Sequence, residues 1–259
     1  MTRLPWNPQQ YLLAAGHRLR PSIDLLAHVS HDSPRRVVDL GCGPGNATRL
    51  LAERWPEAEI LGVDSSTEML ARARAEGPKA DWLETDIGTW EPETPPDVIF
   101  SNAALHWLDD HEQLFPRLLA SLAPGGVLAV QMPRNIDSPS HRLARESARE
   151  GPWWAALTGA FRDSPVAEPA AYYALLAGQA AKLDIWETEY LHVLEGEDPV
   201  LAWTLGTALL PVRQRLDAES FEAFKAHHAA KLRTAYPPQP GGETLFPFRR
   251  LFVIAVARS

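Results

Sequence analysis

The stretch Val37-Val38-Asp39-Leu40-Gly41-Cys42-Gly43-Pro44-Gly45-Asn46-Ala47-Thr48 constrains the fold more than any other. An apolar, β-branched run enters three glycines at alternate positions, and a helical pattern starts at Asn46 or Ala47. This predicts a buried strand, a tight turn, and a helix whose N-terminal amides face whatever lies above the turn. Lacking β-carbons, Gly41, Gly43 and Gly45 tolerate unusual backbone angles and let a ligand approach the main chain closely.

The flanking pattern supplies a frame for that turn. Short apolar runs predict strands at Val37–Leu40, Ile60–Val63, Ala80–Glu84, Val98–Ser101 and Val127–Met132. Helical patterns lie between them at Ala47–Arg54, Thr67–Ala75 and His111–Ser121, and helix starts are expected at Trp6–Tyr11 and from Pro21. Such alternation argues for an α/β fold with a parallel sheet covered on both faces. After Met132 the rhythm changes. Helical pieces are expected at His141–Glu150, Glu168–Ala177, Pro199–Leu210 and Ala218–Tyr236, with strands at Leu183–Val193 and Leu251–Ala257. The expectation is one domain with a core at about 30–133 plus strands near 183–193 and 248–258. Helical insertions at about 138–180 and 198–240 would form a lid over the carboxyl ends of the strands, where ligands bind in open α/β sheets.

Composition narrows the function classes. A net charge of −8 argues against a nucleic-acid surface, which shows a basic footprint. Cys42 is the single cysteine, which excludes a disulfide framework and a thiolate metal cluster. Met1–Gln10 carries no apolar run, and no window approaches the ~18 apolar residues of a membrane span, so a cytoplasmic, membrane-free protein is expected.

The chemistry follows from the acids placed after the strands. Asp64 ends the second strand, 19 residues beyond Gly45, where a carboxylate can accept from both hydroxyls of a ribose. Asp86 follows the third strand, where an acid can face an adenine amino group. A nicotinamide dinucleotide fits poorly, because its G-x-G-x-x-G fingerprint spaces the third glycine one residue later and lacks a proline inside the loop. No G-K-[ST] element is present to hold nucleotide phosphates. A nucleoside without a pyrophosphate fits better.

Asp39-Leu40-Gly41-Cys42-Gly43-Pro44-Gly45, Asp64-Ser65-Ser66 with Met69, Asp86-Ile87, and Asp97-Val98-Ile99-Phe100-Ser101-Asn102 resemble the successive motifs of class I S-adenosylmethionine-dependent methyltransferases. Trp6-Asn7-Pro8 with Tyr11, Arg20-Pro21, Leu105-His106-Trp107-Leu108, Val130-Gln131-Met132-Pro133, Asp184-Ile185-Trp186 and Arg250-Leu251-Phe252 extend the resemblance over nearly the whole chain, toward the branch that esterifies trans-aconitate. His106 departs from a frequent glutamine of the pattern, and Arg134 stands where some relatives carry an acid. The resemblance implies a Rossmann-like, mostly parallel sheet with an antiparallel last strand. It also implies S-adenosyl-L-methionine as methyl donor and S-adenosyl-L-homocysteine as product.

Carried onto this chain, the resemblance implies contacts to the donor from Gly41, Gly43, Asp64, Ser65, Met69, Asp86, Ile87, Asn102 and Trp107. Trp6, Gln10, Tyr11 and Arg20 would close the donor from the N-terminal side. A carboxylate acceptor is already ionised at neutral pH, so no general base and no catalytic side chain is required. The protein's task is positioning and exclusion of water. A small polycarboxylate calls for cationic partners, for which the candidates are Arg250, Arg249, Arg134 and Arg213, with Arg250 favoured on the family motif. Tyr172, Tyr173, Trp203 and His106 are candidate walls of the acceptor pocket, although core packing competes for the aromatic residues. His227-His228 lacks a companion acid motif and is expected at the surface rather than on a metal. Other small carboxylic acids, hydroxylated metabolites and a non-catalytic binding role are the competing readings.

Overall fold

The computed structural model describes residues 19–161, 166–206 and 208–259, so the helix start expected at Trp6–Tyr11 lies outside the described residues. The first half alternates as its pattern predicts: α1 (Arg20–Ala27), β1 (Arg36–Leu40), α2 (Asn46–Arg54), β2 (Glu59–Asp64), α3 (Thr67–Glu76), β3 (Asp81–Glu84), β4 (Val98–Asn102), a 3-10 turn at Leu105–Trp107, α4 (His111–Ala120) and β5 (Val127–Pro133). Then follow α5 (Pro139–Glu150), α6 (Trp154–Leu157), α7 (Pro169–Leu176), β6 (Ala180–Leu194), α8 (Pro199–Leu205), α9 (Leu210–Arg215), α10 (Ala218–Ala235) and β7 (Thr244–Ala257).

The strands form a seven-stranded sheet in the order β3-β2-β1-β4-β5-β7-β6. Neighbours among β1 to β5 are parallel, and β7 runs antiparallel to β5, as the resemblance implied. The order reverses between β1 and β4, which makes the carboxyl ends of these two strands the topological switch point. Asp97, the first residue of the fourth motif, accepts from the amides of Arg35 and Arg36 at 2.7 and 2.9 Å. Its role is to tie the start of β1 to the start of β4, at the opposite end from the glycine turn.

The described residues group into two units: one within 1–133, 165–188 and 250–259, the other within 134–164 and 189–249. In the first, Val38, Leu40, Ile99, Leu128, Val130, Met132 and Val253 build one sheet face under Leu114, Phe115 and Leu118 of α4. Full burial of each such side chain is worth about 1.5–3 kcal/mol. The sequence grouped α7 with the insertions, but the structure places it in this unit. Tyr172 is buried there and its ring lies 4.8 Å from that of Phe115.

The second unit has its own core, with Leu143, Trp153, Leu157, Phe224, Leu232 and Phe246 among its buried residues. The helical stretch expected over Pro199–Leu210 is broken, because Gly206 ends α8 and Pro211 occupies the first turn of α9. His228 corrects another expectation. It faces the core of α10, fully buried, and burial pushes its imidazole down to about 4, whereas His227 pairs with Glu150 at 3.0 Å outside. Among the described residues no helix is long and apolar enough to cross a membrane.

Candidate active site

The glycine turn is built by backbone hydrogen bonding to the neighbouring strand. Gly41 and Cys42 both donate to Val63 O, at 2.8 and 3.0 Å, so the chain leaves β1 while still anchored to β2. Gly41 has φ +81°, and a β-carbon there would lie 2.1 Å from Ala104 Cβ. Gly43 has φ +53°, and a β-carbon there would meet none of the described residues within 4 Å. One glycine is needed for close chain approach, the other for its backbone angle beside open space. Gly45, also left-handed, precedes α2 without a side-chain cap on the helix.

Asp39 sits behind this turn, fully buried, and its Oδ2 accepts from Thr48 Oγ1 at 2.6 Å. Burial raises its carboxyl to about 7, the Thr48 hydroxyl opposes that rise, and the charge of Asp64 adds to it. The bond ties β1 to the first turn of α2. Cys42 is inert: burial, Asp39 and Asp64 all push its thiol above the ordinary range, away from a nucleophilic thiolate.

Asp64 closes the loop from the side. Its Oδ2 accepts from Gly43 N at 2.8 Å and its Oδ1 from Ser66 N at 2.9 Å. Each carboxylate oxygen retains a lone pair for a further donor. Ser66 in turn caps α3 by accepting from Met69 N at 3.3 Å, which fixes Met69 beside the acid while Ser65 stays exposed. The carbonyl of Asp64 accepts from Thr85, placing the Asp86–Ile87 turn next to it, and Asp86 Oδ1 accepts from Gly88 N at 2.8 Å. Ile87 Cδ1 comes within 3.5 Å of the point where a Gly41 β-carbon would stand. The structure therefore brings Gly41, Gly43, Asp64, Met69 and Ile87 around one loop, with the exposed Asp86 at its margin.

The fourth wall is the end of β4. Asn102 pairs in register with Gln131 of β5, and its Oδ1 is buried without a hydrogen-bond partner among the described residues. Ala103 then turns left-handed at φ +54°, and its amide donates to Gln131 O. His106 and Trp107 follow with ring centroids 4.7 Å apart, the indole 54% exposed. Pro133 of β5 pairs with Arg250 of β7, a residue only 7% exposed, whose guanidinium donates to Gln131 Oε1 at 3.4 Å. Registry puts Asn102, Gln131 and Arg250 on one face of the sheet, at the carboxyl ends of β4 and β5.

The remaining candidates separate. Tyr172 is no pocket wall: it is 1% exposed and its hydroxyl lies 2.6 Å from His111 Nδ1. The other ring nitrogen of His111 lies 2.9 Å from Leu105 O, which suits a neutral imidazole donating from Nε2 and accepting from Tyr172, and burial lowers its basicity accordingly. The α7 neighbour Tyr173 is 60% exposed. Trp203 stacks on His192 at 4.7 Å within the second unit. Arg134 and Arg249 line a cavity of about 530 Å³ in that unit, with Asp137, Glu189 and Tyr236 also on its walls, and Arg213 is exposed on α9. Arg20 begins α1, 3.9 Å from Asp24. Trp6, Gln10 and Tyr11 lie outside the described residues. Two polar groups to which the sequence reading gives no role, Asp39 and Gln131, are buried at this end of the sheet. Their signal was a polar residue inside an otherwise apolar strand.

Comparison with known proteins agrees with this geometry. A methyltransferase-domain family model matches residues 11–166. A trans-aconitate 2-methyltransferase of Streptomyces avermitilis is 51% identical over 259 residues, covering 96% of both chains. One from Azoarcus sp. strain BH72 is 49% identical over 251 residues, covering 97% of this chain and 98% of its own. Among solved structures, an S-adenosylmethionine-dependent methyltransferase from Mesorhizobium loti shares the fold, with TM-score 0.52, 23% identity, and 93% of this chain and 98% of that one covered. The sheet, the glycine turn and this similarity along nearly the full length agree: the chain belongs to the methyltransferase-domain family and, within it, to the family of the trans-aconitate 2-methyltransferases.

Proposed function

We propose that this enzyme esterifies a carboxylate of trans-aconitate with the methyl group of S-adenosylmethionine, leaving the monomethyl ester and S-adenosylhomocysteine. The residues around the turn fit the donor. Asp64 keeps acceptor capacity on both oxygens, and among the described residues the backbone at Gly43 borders open space and Asn102 Oδ1 is buried with no partner. In this reading Asp64 accepts from the ribose, Ser65, Met69, Asp86 and Ile87 border the adenine, Gly41, Gly43, Asn102 and Trp107 border the methionine portion, and Arg20 with Trp6, Gln10 and Tyr11 close the N-terminal side. When bound, S-adenosylmethionine supplies an electrophilic methyl group on a positively charged sulfur.

The observation that carries the acceptor assignment is the buried Arg250 of β7, opposite the last residue of β5. A planar, permanently charged fork suits a carboxylate in a site from which water is excluded. An ionised acceptor needs no proton removed, so His106 is given a steric or hydrogen-bonding part and no base is assigned. Alignment of the acceptor oxygen is then the main catalytic contribution, and orientation of this kind supplies up to roughly 7–11 kcal/mol. Incubation with labelled S-adenosylmethionine and a panel of di- and tricarboxylates tests the proposal. Label is expected in the trans-aconitate ester. Label in a hydroxylated or amine acceptor, with none in any acid, would refute the carboxyl reading.

A further inference from the structure

We propose that Gln131 is a second acceptor-binding residue, its Nε2 donating to the same carboxylate that Arg250 receives; this rests on the function proposed above. Gln131 stands in β5 between Val130 and Met132, and all three are completely buried. A carboxamide on a central strand needs its donor and acceptor both satisfied, since an orphaned polar group forfeits the hydrogen bond that water gave it before burial. Only half of that need is met. Oε1 accepts from Arg250, and Nε2 has no partner among the described residues. The amide cannot be turned to relieve this, because a guanidinium only donates and so the oxygen must face Arg250.

The direction of the spare donor follows from the sheet. Gln131 lies opposite Asn102 in the β4–β5 register, and Arg250 lies opposite Pro133 in the β5–β7 register, so the three side chains share one face. Asn102 also has a buried oxygen without a partner among the described residues. Apolar residues occupy this face deeper in the sheet, at Ala129 and Val127 of β5 and at Phe100 of β4. Polar character begins at the carboxyl end, next to the glycine turn. A carboxylate held there receives a charged fork from one side and a neutral N–H from the other, which fixes its plane and presents one oxygen. A single cation would leave that plane free to rotate. The carboxamide thus has two jobs, setting the guanidinium with its oxygen and gripping the acceptor with its nitrogen.

A double-mutant cycle separates these jobs. Gln131→Met keeps size and removes both polar atoms. It is expected to raise the KM for trans-aconitate at least tenfold, while the Kd for S-adenosylhomocysteine by calorimetry stays within twofold. The same change made in an Arg250→Met background is expected to raise that KM a further threefold or more. No additional effect there would mean that Gln131 acts only by holding Arg250, and would overturn the proposal. Gln131→Glu sets a second carboxylate against the acceptor and should exceed the Met variant in KM; an unchanged KM would also overturn it. The unaltered protein gives an independent reading. With S-adenosylhomocysteine bound, the side-chain amide proton signals of Gln131 should shift as trans-aconitate is added, and unmoved signals would refute the contact. If the unaltered enzyme esterifies no carboxylate, the proposed function falls and this inference with it. An active enzyme indifferent to Gln131 overturns this inference alone.

Discussion

Replacing Gly41 by alanine tests how much of the donor loop rests on a missing methyl group. At φ +81° an L-residue costs about 1–2 kcal/mol in backbone energy. The new β-carbon would stand 2.1 Å from Ala104 Cβ, far inside the roughly 3.5–4.0 Å separation of carbon atoms in contact. Either the turn or the segment after β4 must move, and overpacking of this kind costs about 1–3 kcal/mol more. The expected loss is therefore about 2–5 kcal/mol, a large share of the ~5–15 kcal/mol that holds a typical domain together. Gly43→Ala is the control: its φ is also positive but its β-carbon would meet nothing, so only the backbone share of about 1–2 kcal/mol is expected. Ala104→Gly in the Gly41→Ala background removes the collision and should return the steric share, less about 0.5–1 kcal/mol for the added chain freedom. Urea unfolding, with midpoints compared at equal slope, measures all four chains. Equal losses at Gly41 and Gly43, or no recovery on adding Ala104→Gly, would refute the close-approach argument.

Asp64→Asn removes the charge that accepts from Gly43 and Ser66, and should weaken S-adenosylhomocysteine binding tenfold or more by calorimetry while trans-aconitate KM changes little. Tyr172→Phe leaves His111 Nδ1 without its donor and should destabilise by about 1–3 kcal/mol, with acceptor KM unaltered, because the phenol lies in the core and not in a pocket. Asp39 sets a pH dependence. Its folded carboxyl, at about 7, lies above the unfolded value of 3.8, so between those limits the folded state holds more protons and stability falls as pH rises. Asp39→Asn, which can still accept from Thr48, should therefore gain on the unaltered protein from pH 4 to pH 7 by an amount of order 4 kcal/mol, read from thermal or urea unfolding. A gain that stays flat or shrinks with rising pH would show that the folded acid is not raised at all.

The first five strands and the helices between them were legible because each element carries its own period and its own punctuation. Val37–Leu40 differs from the observed β1 only by Arg36, and the predicted α3 ends one residue early. The second half was less legible for physical reasons. The expected final strand starts at Leu251, or near 248 at the widest, because the apolar run begins there. The observed β7 starts at Thr244, and Pro247 falls in the half not paired with β5, where the missing N–H breaks no bond to that strand. The pattern of α7 shows that it has an apolar side and gives no information on which of two cores receives it. Tyr172 met Phe115 and His111 of the first unit, and the pocket role the sequence offered for it was lost there.

The carboxyl end of β5 shows how far a pattern reaches. Central parallel strands are buried on both faces and read as unbroken apolar runs, so the period of two that marks a half-exposed strand is absent from β5. Within such a run a lone glutamine carries more information than any apolar neighbour, because burial without partners would select against it. What the chain alone withholds is the registry that sets Gln131 beside Asn102 on one strand and one step from Arg250 on another, residues 29 and 119 positions apart from it. Neither arginine nor glutamine is diagnostic by itself. Their common face beside the glycine turn is what the proposed carboxylate site rests on, and it explains why the donor loop could be read from a dozen consecutive residues while the proposed acceptor site required the assembled sheet.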